Sequence, residues 1–146
     1  MEIMIRGIEE GDYPAVTDLF THQILGNGRS DEYRGAVERF FRLSGEDGNY
    51  STFVAVAGRR VVGFISAVRM MWIGSSCMFV QCLAVRETYQ RRGIGTKLLG
   101  FLESYAAEQG IAGIGLQSGV QRAGAHAFYA RCGYIRSNYF YKNFPA

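Results

Sequence analysis

Residues 78–99 read MFVQCLAVRETYQRRGIGTKLL, and this stretch decides how the rest of the chain is interpreted. The apolar run Met78–Val85 predicts a β-strand, and the apolar spacing from Ile94 onward predicts an amphipathic helix. Between them lies the glycine-containing turn Gln90–Thr96. Glycine lets other groups approach the backbone closely, and the first turn of a helix has N–H groups without intrahelical acceptors. The junction is therefore suited to an anion.

The residues of this turn, taken alone, allow two interpretations. Gln90–Thr96 can bind a phosphate or pyrophosphate through backbone N–H groups, with Arg91 and Arg92 adding positive charge. It can equally be a simple strand-to-helix connection with solvated arginines, because a Gly-x-Gly pair is a common pattern. Two better-defined phosphate motifs are excluded. A dinucleotide-binding fingerprint needs a small residue at the position of Leu98, and a P-loop needs a Gly-Lys-Ser/Thr sequence that this chain lacks.

Length and composition narrow the class of protein. A chain of 146 residues with 48% hydrophobic content predicts one domain, residues 1–146, around one sizeable core. The net charge of +3 favours anionic ligands but is too small to indicate nucleic-acid binding. Cys77, Cys82 and Cys132 have no metal-ligand spacing, which predicts reduced thiols and no metal site. Without a membrane-length apolar run or a signal-peptide layout, we expect a cytoplasmic protein that does not bind membranes.

Hydrophobic periodicity and turn residues predict the remaining elements in order. The first part of the chain gives a short strand from Ile3, a helix capped by Asp12, and a second helix that starts at Ser30 or Asp31. A β-hairpin follows, with strands Tyr50–Ala57 and Val61–Met70, and the strand Cys77–Val85 continues it as an antiparallel meander.

The second part of the chain returns to the same sheet. The helix after the turn ends at Gly110, and Ile111–Gln117 is predicted to lie parallel to Cys77–Val85 because a helical crossover joins them. A short helix over Gln121–Cys132 and one or two strands within Tyr134–Phe144 complete the chain. The fold class is α/β of the α+β type: a mixed, mostly antiparallel twisted sheet of six to seven strands with about four helices.

Two motifs at matching spacing resemble those of the GCN5-related N-acetyltransferase (GNAT) family. The strand, the turn Gln90-x-x-Gly93-x-Gly95 and the following helix resemble the family signature Gln/Arg-x-x-Gly-x-Gly/Ala. The segment AHAFYARCGY, residues 125–134, resembles the late helix of the family, and SNYFYKNF, residues 137–144, resembles its final strand. The order of elements matches over essentially the whole chain, and the specific motifs lie between Val80 and Lys142.

The resemblance implies an activity and a cosubstrate. It implies an N-acetyltransferase that moves an acetyl group from acetyl-CoA to a primary amine of a small molecule or protein, by direct transfer in a ternary complex without a metal. The two central parallel strands are expected to splay apart around the thioester, and the protein to be a monomer or homodimer. By position, the cofactor-binding residues are Leu83, Ala84 and Val85 along the pantetheine arm, and Gln90, Arg91, Arg92, Gly93, Ile94, Gly95 and Thr96 at the pyrophosphate.

The resemblance also assigns a general acid. Tyr129 corresponds to the tyrosine of the late helix that the family is proposed to use for protonating the departing thiolate. A tyrosine with a pKa near 10 stays protonated at neutral pH and can donate to a thiolate whose ordinary pKa is about 8.5. Backbone N–H groups near Leu83–Val85 can polarise the carbonyl oxygen. Phe128 and Tyr129 taken alone would be core aromatics, and Phe128 keeps that assignment.

Two positions depart from the family pattern. Gln81 stands where many members have a glutamate that accepts the amine proton, and glutamine cannot act as that base. The alternatives are an acidic residue on the second helix (Asp31, Glu32 or Glu38), ordered water, or an acceptor with a lowered pKa. Arg122 replaces an asparagine that often contacts the cofactor, and an arginine there can instead reach a CoA phosphate.

Other features leave their roles open. His126 can share a helix face with Tyr129 and shuttle a proton, or can be structural, and His22 can line an acceptor pocket or face solvent. The absence of a glutamate at position 81 also allows a non-catalytic acyl-CoA-binding or sensing module on the same fold. Nucleic-acid binding through Arg59, Arg60, Arg91 and Arg92 lacks a basic run with interleaved aromatics.

Overall fold

Five β-strands lie side by side in chain order in the computed structural model, which describes residues 2–25, 30–116, 123–136 and 142. The strands are β1 (Ile3–Gly7), β2 (Tyr50–Ala57), β3 (Arg60–Trp72), β4 (Ser75–Val85) and β5 (Gly113–Leu116). The four α-helices are α1 (Tyr13–Phe20), α2 (Ser30–Ser44), α3 (Ile94–Glu108) and α4 (Ala123–Arg131). In the described part of the chain, no helix has the length and apolar character needed to cross a bilayer.

The sheet is mixed, as predicted, but smaller than predicted. The pairs from β1 to β4 are antiparallel, and β4 and β5 are parallel. The prediction of six to seven strands counted one or two strands within Tyr134–Phe144. Residues 134–136 have no regular secondary structure, and of the remainder only Lys142 lies among the described residues. The described sheet therefore has five strands, and the α/β class is confirmed.

The parallel pair covers only the first part of β4. Its register runs from Cys77 opposite Gly113 to Val80 opposite Leu116, and β4 then continues to Val85. Residues 117–122 lie outside the described part of the chain, so the predicted splaying of β4 and β5 stays a prediction.

Asp12 has a different role from the predicted N-cap of α1. It adopts helical backbone angles, makes no side-chain capping bond to α1, and ends a 3-10 turn over Glu10–Asp12. Its carboxylate accepts hydrogen bonds from the Arg6 guanidinium at 2.6 and 3.1 Å and from the Glu9 N–H at 2.8 Å. Asp12 thus occupies the predicted N-cap position of α1, but its carboxylate binds Arg6 and the Glu9 N–H instead of capping the helix.

Each face of the sheet carries its own cluster of buried side chains. Helix α3 buries Ile94, Leu98, Leu99 and Leu102 against one face, where Met78 and Val80 of β4 also lie. Helices α1 and α2 cover the other face, with Val16, Leu19 and Phe41 against Phe64 and Ala84. The site at the end of β4 is therefore held between two packed layers.

Candidate active site

The second half of β4 pairs with β3. Leu83, Ala84 and Val85 lie opposite Ile65, Phe64 and Gly63 of β3. Along the other edge, the register with β5 is described from Cys77 to Val80, and residues 117–122, which follow β5, lie outside the described part of the chain. A strand edge can bond a ligand through its backbone amides as a further strand would.

A β-bulge at Gln81 sets which side chains of β4 face which helix. Ala67 pairs with Val80 and Ser66 pairs with Cys82, so that Gln81 is the extra residue. Before the bulge Met78 and Val80 face α3, and after it Leu83 and Val85 do. A bulge bends its strand and redirects side chains, and bulges are common beside active sites. The exposed Gln81 side chain is thereby placed on the surface between the sheet and α2.

The turn after β4 is fixed by hydrogen bonds to the strand. A 3-10 turn over Glu87–Tyr89 follows the strand, and the Gln90 side-chain amide donates to the Val85 carbonyl at 2.9 Å. The structure thus gives the Gln90 side chain a positioning role. Arg92 lies over the Tyr89 ring, with the guanidinium carbon 5.2 Å from the ring centroid, and Arg91 adopts a left-handed φ of 64°. Both arginines are exposed, which adds positive charge at the start of α3.

The N-terminus of α3 presents its backbone donors without a protein cap. Gly93 is the N-cap with a φ of 80°, and it makes no side-chain capping bond. The first helical bond runs from the Lys97 N–H to the Gly93 carbonyl at 3.0 Å, so the N–H groups of Ile94, Gly95 and Thr96 precede the helical ladder. Three such donors at the positive end of a 15-residue helix form an anion-binding geometry.

Gly95 lies beside α4. A Cβ atom built at this position would lie 3.4 Å from Cζ of Phe128, which is the edge of ordinary van der Waals contact. Phe128 is partly buried against the α3 cluster, as predicted for a core aromatic. Of the two glycines of the turn, Gly93 is the one that a left-handed backbone conformation requires.

Tyr129 lies in a row of aromatic rings on α4. Its ring centroid is 5.2 Å from that of Phe128 and 6.0 Å from that of Tyr134, and the residue is partly buried against the α3 cluster. The Tyr134 hydroxyl donates to Glu103 at 2.9 Å. Burial, together with this hydrogen bond, raises the pKa of Tyr134, so it stays protonated at neutral pH. Packing on both sides restricts the Tyr129 ring.

A cavity of about 350 Å³ lies where α2 faces the bulge of β4. Its helical wall is formed by side chains that are mostly apolar: Phe20, Tyr33, Ala36, Val37, Phe40 and Phe41. Its sheet wall is formed by Ser66, Gln81 and Cys82. Gln81 and Cys82 directly precede Leu83–Val85, so the cavity adjoins the half of β4 that was predicted to face the pantetheine arm. The residues of this lining carry no sequence motif that predicted a cavity here.

Among the described residues, the candidates His22, Glu38 and His126 do not line this cavity. His22 lines a second cavity with Asp18, Arg34 and Arg86, and the Glu38 carboxylate accepts a hydrogen bond from Arg42 at 3.2 Å. His126 is partly buried on α4. Arg122 and the side chains of Asp31 and Glu32 lie outside the described part of the chain. The three cysteines form no disulfide, and the described residues contain no cluster of three or more metal-ligating side chains.

Comparison with known proteins places this geometry in a family. The sequence model of the Acetyltransferase (GNAT) family matches residues 13–134, whereas no curated protein matches significantly. Three solved structures illustrate the shared fold. A transcriptional regulator from Bacillus halodurans C-125 is 24% identical with a TM-score of 0.87, and the alignment covers 98% of this chain and 99% of the other.

Two further structures share the fold, and one of them is named as an aminoglycoside acetyltransferase. An aminoglycoside acetyltransferase from an uncultured soil metagenomic sample is 20% identical, with a TM-score of 0.79 and coverage of 100% and 99%. AAC(6')-Iy, solved with a bisubstrate analog CoA-S-monomethyl-acetylneamine, is 14% identical, with a TM-score of 0.80 and coverage of 99% and 100%. The TM-scores establish a common fold, and the family match extends over most of the sequence. The chain therefore belongs to the GNAT acetyltransferase family.

Proposed function

We propose that the protein transfers the acetyl group of acetyl-CoA to a primary amine by direct attack within a ternary complex. The observation that carries the proposal is the junction of β4 and α3. There, the N–H groups of Ile94, Gly95 and Thr96 begin α3 after β4 and its turn, and they precede the first helical hydrogen bond. Membership of an acetyltransferase family supports the same activity.

The described residues fit the two ends of acetyl-CoA. The N–H groups of Ile94, Gly95 and Thr96 would hold the pyrophosphate, with Arg91 and Arg92 adding charge. The edge of β4 that faces away from β3 would bond the amides of the pantetheine arm over Leu83–Val85. The order of the two sites matches the order of groups in acetyl-CoA. The anion site corresponds to the pyrophosphate, and the strand edge corresponds to the pantetheine arm that leads to the thioester.

The reaction exchanges one bond for another. Acetyl-CoA supplies a thioester whose carbonyl carbon is open to attack. A C–N bond forms from the neutral amine, the C–S bond breaks, the amine nitrogen loses a proton, and the thiolate gains one. Tyr129 would supply the thiolate proton, because an ordinary tyrosine remains protonated at neutral pH. Phe128 and Tyr134 limit where its ring can lie.

Release of the amine proton is assigned to water rather than to a side chain at position 81. The Gln81 amide has no basic site at neutral pH, and the Glu38 carboxylate is engaged by Arg42. Gln81 is exposed, as are Tyr33 and Ala36 on the opposite wall of the cavity. Solvent can therefore reach the place where the acceptor amine would lie. The rate is expected to rise with pH as the neutral fraction of the amine increases.

Calorimetric titration with acetyl-CoA, followed by assay of free thiol on adding a panel of primary amines, tests the proposal. We expect saturable binding of acetyl-CoA and amine-dependent thiol release. Absence of binding at millimolar concentration would contradict the proposed site. Binding without thiol release for any amine would instead favour a non-catalytic acyl-CoA-binding module.

A further inference from the structure

The described residues that line the cavity beside Gln81 are uncharged. None of the nine described residues that line it is acidic or basic. Bringing a charged group into an apolar site without a counter-charge or hydrogen bonds is strongly unfavourable. The body of any molecule that fills this cavity is therefore expected to be uncharged.

The cavity also has a defined depth. At its mouth lie Tyr33, which is 38% exposed, and the exposed residues Ala36 and Gln81. At its floor lie Phe41 and Ser66, which are 2% and 1% exposed. The Ser66 hydroxyl already shares a hydrogen bond of 2.8 Å with Thr52, so the floor offers little unused polarity. A ligand that reaches the floor exchanges water for mainly apolar contacts.

Aromatic packing stabilises the walls. The Phe40 and Phe41 rings meet edge to face with centroids 5.4 Å apart, and Phe41 meets Phe64 of β3 in the same way at 5.4 Å. Phe40 also contacts Tyr50 at 5.8 Å. Edge-to-face contacts of this kind hold rings in fixed positions and favour aromatic or branched apolar ligands. A volume of about 350 Å³ falls within the usual range for small-molecule sites.

We infer that the acceptor is a monoamine attached to an uncharged apolar body, and that the body occupies this cavity with the amine at the Gln81 and Cys82 end. This inference rests on the proposed function and specifies its acceptor. Gln81 offers a carbonyl oxygen to an amine N–H, and the next residues of β4 are those proposed to lie along the pantetheine arm. Polyamines and aminoglycosides carry several ammonium groups, which this lining does not match.

A comparison of acceptors tests the charge argument. The kcat/KM for acetylation by acetyl-CoA is measured with 2-phenylethylamine, spermidine and kanamycin. We expect 2-phenylethylamine to be preferred by at least about tenfold over both polycations, the ratio expected from about 1.4 kcal/mol of differential stabilisation.

Two charge variants on α2 test whether the preference for 2-phenylethylamine arises in the cavity. Ala36→Glu adds a carboxylate at the mouth, and Leu43→Glu adds one at an exposed position that does not line the cavity. Both positions are exposed on the same helix, so neither change disturbs the core. We expect Ala36→Glu to lower the preference for 2-phenylethylamine over spermidine by about tenfold, because a nearby carboxylate attracts additional ammonium groups. Leu43→Glu is expected to leave the preference unchanged.

Alkylation of cysteines reports where the amine binds. Cys82 lines the cavity, whereas Cys132 lies beside α3 and α4. Saturating 2-phenylethylamine should slow the reaction of Cys82 with iodoacetamide, as followed by peptide mass spectrometry, and leave Cys132 unaffected. Unchanged alkylation of Cys82 would contradict the placement of the amine.

The outcomes separate the inference from the function on which it rests. Preferred acetylation of spermidine or kanamycin would overturn the inference and leave the acetyltransferase proposal intact. Equal effects of Ala36→Glu and Leu43→Glu would also overturn it. Acetylation of no amine at all would overturn the acetyltransferase proposal and this inference together.

Discussion

At Tyr129, replacement by phenylalanine removes one hydroxyl and keeps the ring that packs between Phe128 and Tyr134. If the hydroxyl protonates the thiolate, Tyr129→Phe should lower kcat by about 10²- to 10⁴-fold. The affinity for acetyl-CoA should change far less, because the groups proposed to hold the cofactor lie on β4 and at the start of α3. Steady-state kinetics and calorimetric titration of both proteins measure the two quantities.

Tyr134→Phe is the matched control on the same row of rings. It removes the hydroxyl that donates to Glu103, so it should lower the free energy of unfolding by about 1 kcal/mol. It should leave kcat close to that of the unmodified protein. Equal turnover in Tyr129→Phe and the unmodified protein would exclude Tyr129 from the mechanism.

Asp12 gives a prediction about stability and pH. Burial opposes ionisation of its carboxyl, but hydrogen bonds from Arg6 and the Glu9 N–H outweigh burial and lower the pKa of Asp12. The resulting stabilisation is complete above the unfolded-state pKa of about 4 and is lost as pH falls through the lower folded-state pKa. Asp12→Asn should therefore reduce the free energy of unfolding by about 2 kcal/mol at pH 7. The difference should shrink in acid.

Denaturant unfolding at pH 7 and at acidic pH measures this effect. Glu9→Gln serves as the control, since its carboxylate is 3.5 Å from Arg6 and 71% exposed. An exposed ion pair contributes less than about 1 kcal/mol. An equal loss of stability in both variants, or a loss in Asp12→Asn that does not shrink with falling pH, would contradict the assigned role of Asp12.

At the scale of elements, the backbone conformation of Gly93 positions the N–H groups at the start of α3 that are proposed to bind acetyl-CoA. Gly93→Ala forces a side chain onto a φ of 80°, which costs about 1–2 kcal/mol. If the turn relaxes to avoid this cost, the N–H groups of the first helical turn move. Affinity for acetyl-CoA should then weaken by about tenfold, which corresponds to about 1.4 kcal/mol.

Gly100→Ala in the middle of α3 is the control for Gly93→Ala. A Cβ atom at Gly100 meets nothing within 4 Å, and alanine favours a helix by about 0.5–1 kcal/mol over glycine. We expect a more stable protein with unchanged affinity for acetyl-CoA. Thermal unfolding and calorimetry of the two variants check both statements. Unchanged affinity in Gly93→Ala would argue against anion binding at this turn.

Elements with strong local signals were predicted closely from the sequence. Strand β2 has the predicted bounds Tyr50–Ala57, and α2 is described from Ser30, one of the two predicted starting residues. The parallel pairing of β4 and β5 was also predicted correctly, because a helical crossover between neighbouring strands requires it. Repeating apolar positions determine such elements locally.

Features that depend on distant partners were not predicted. The role of Asp12 depends on Arg6 in another element, and the position of Gly95 beside Phe128 depends on how α3 and α4 pack. The bulge at Gln81 shifts the register by one residue, and no residue type in the strand signals it. These features required the tertiary structure.

At the scale of the whole molecule, the proposed site combines segments that are far apart in the sequence. The turn and the late helix carried recognisable motifs, so Gln90–Thr96 and Tyr129 could be named in advance. The apolar cavity joins α2 to β4 across about forty residues and has no motif. The aromatic side chains of α2 are spaced as on any helix that faces a core. The spacing alone therefore does not show whether they line a cavity or pack in a core.

Direct transfer between the two bound substrates is tested most directly by initial rates of thiol release over a grid of acetyl-CoA and amine concentrations. We predict intersecting reciprocal plots, as for a ternary complex, and no acetyl group on Cys82 by intact mass before amine is added. Cys82 lies on the cavity wall and is the thiol best placed to form an acetyl-enzyme. Parallel plots with an acetylated Cys82 would contradict direct transfer.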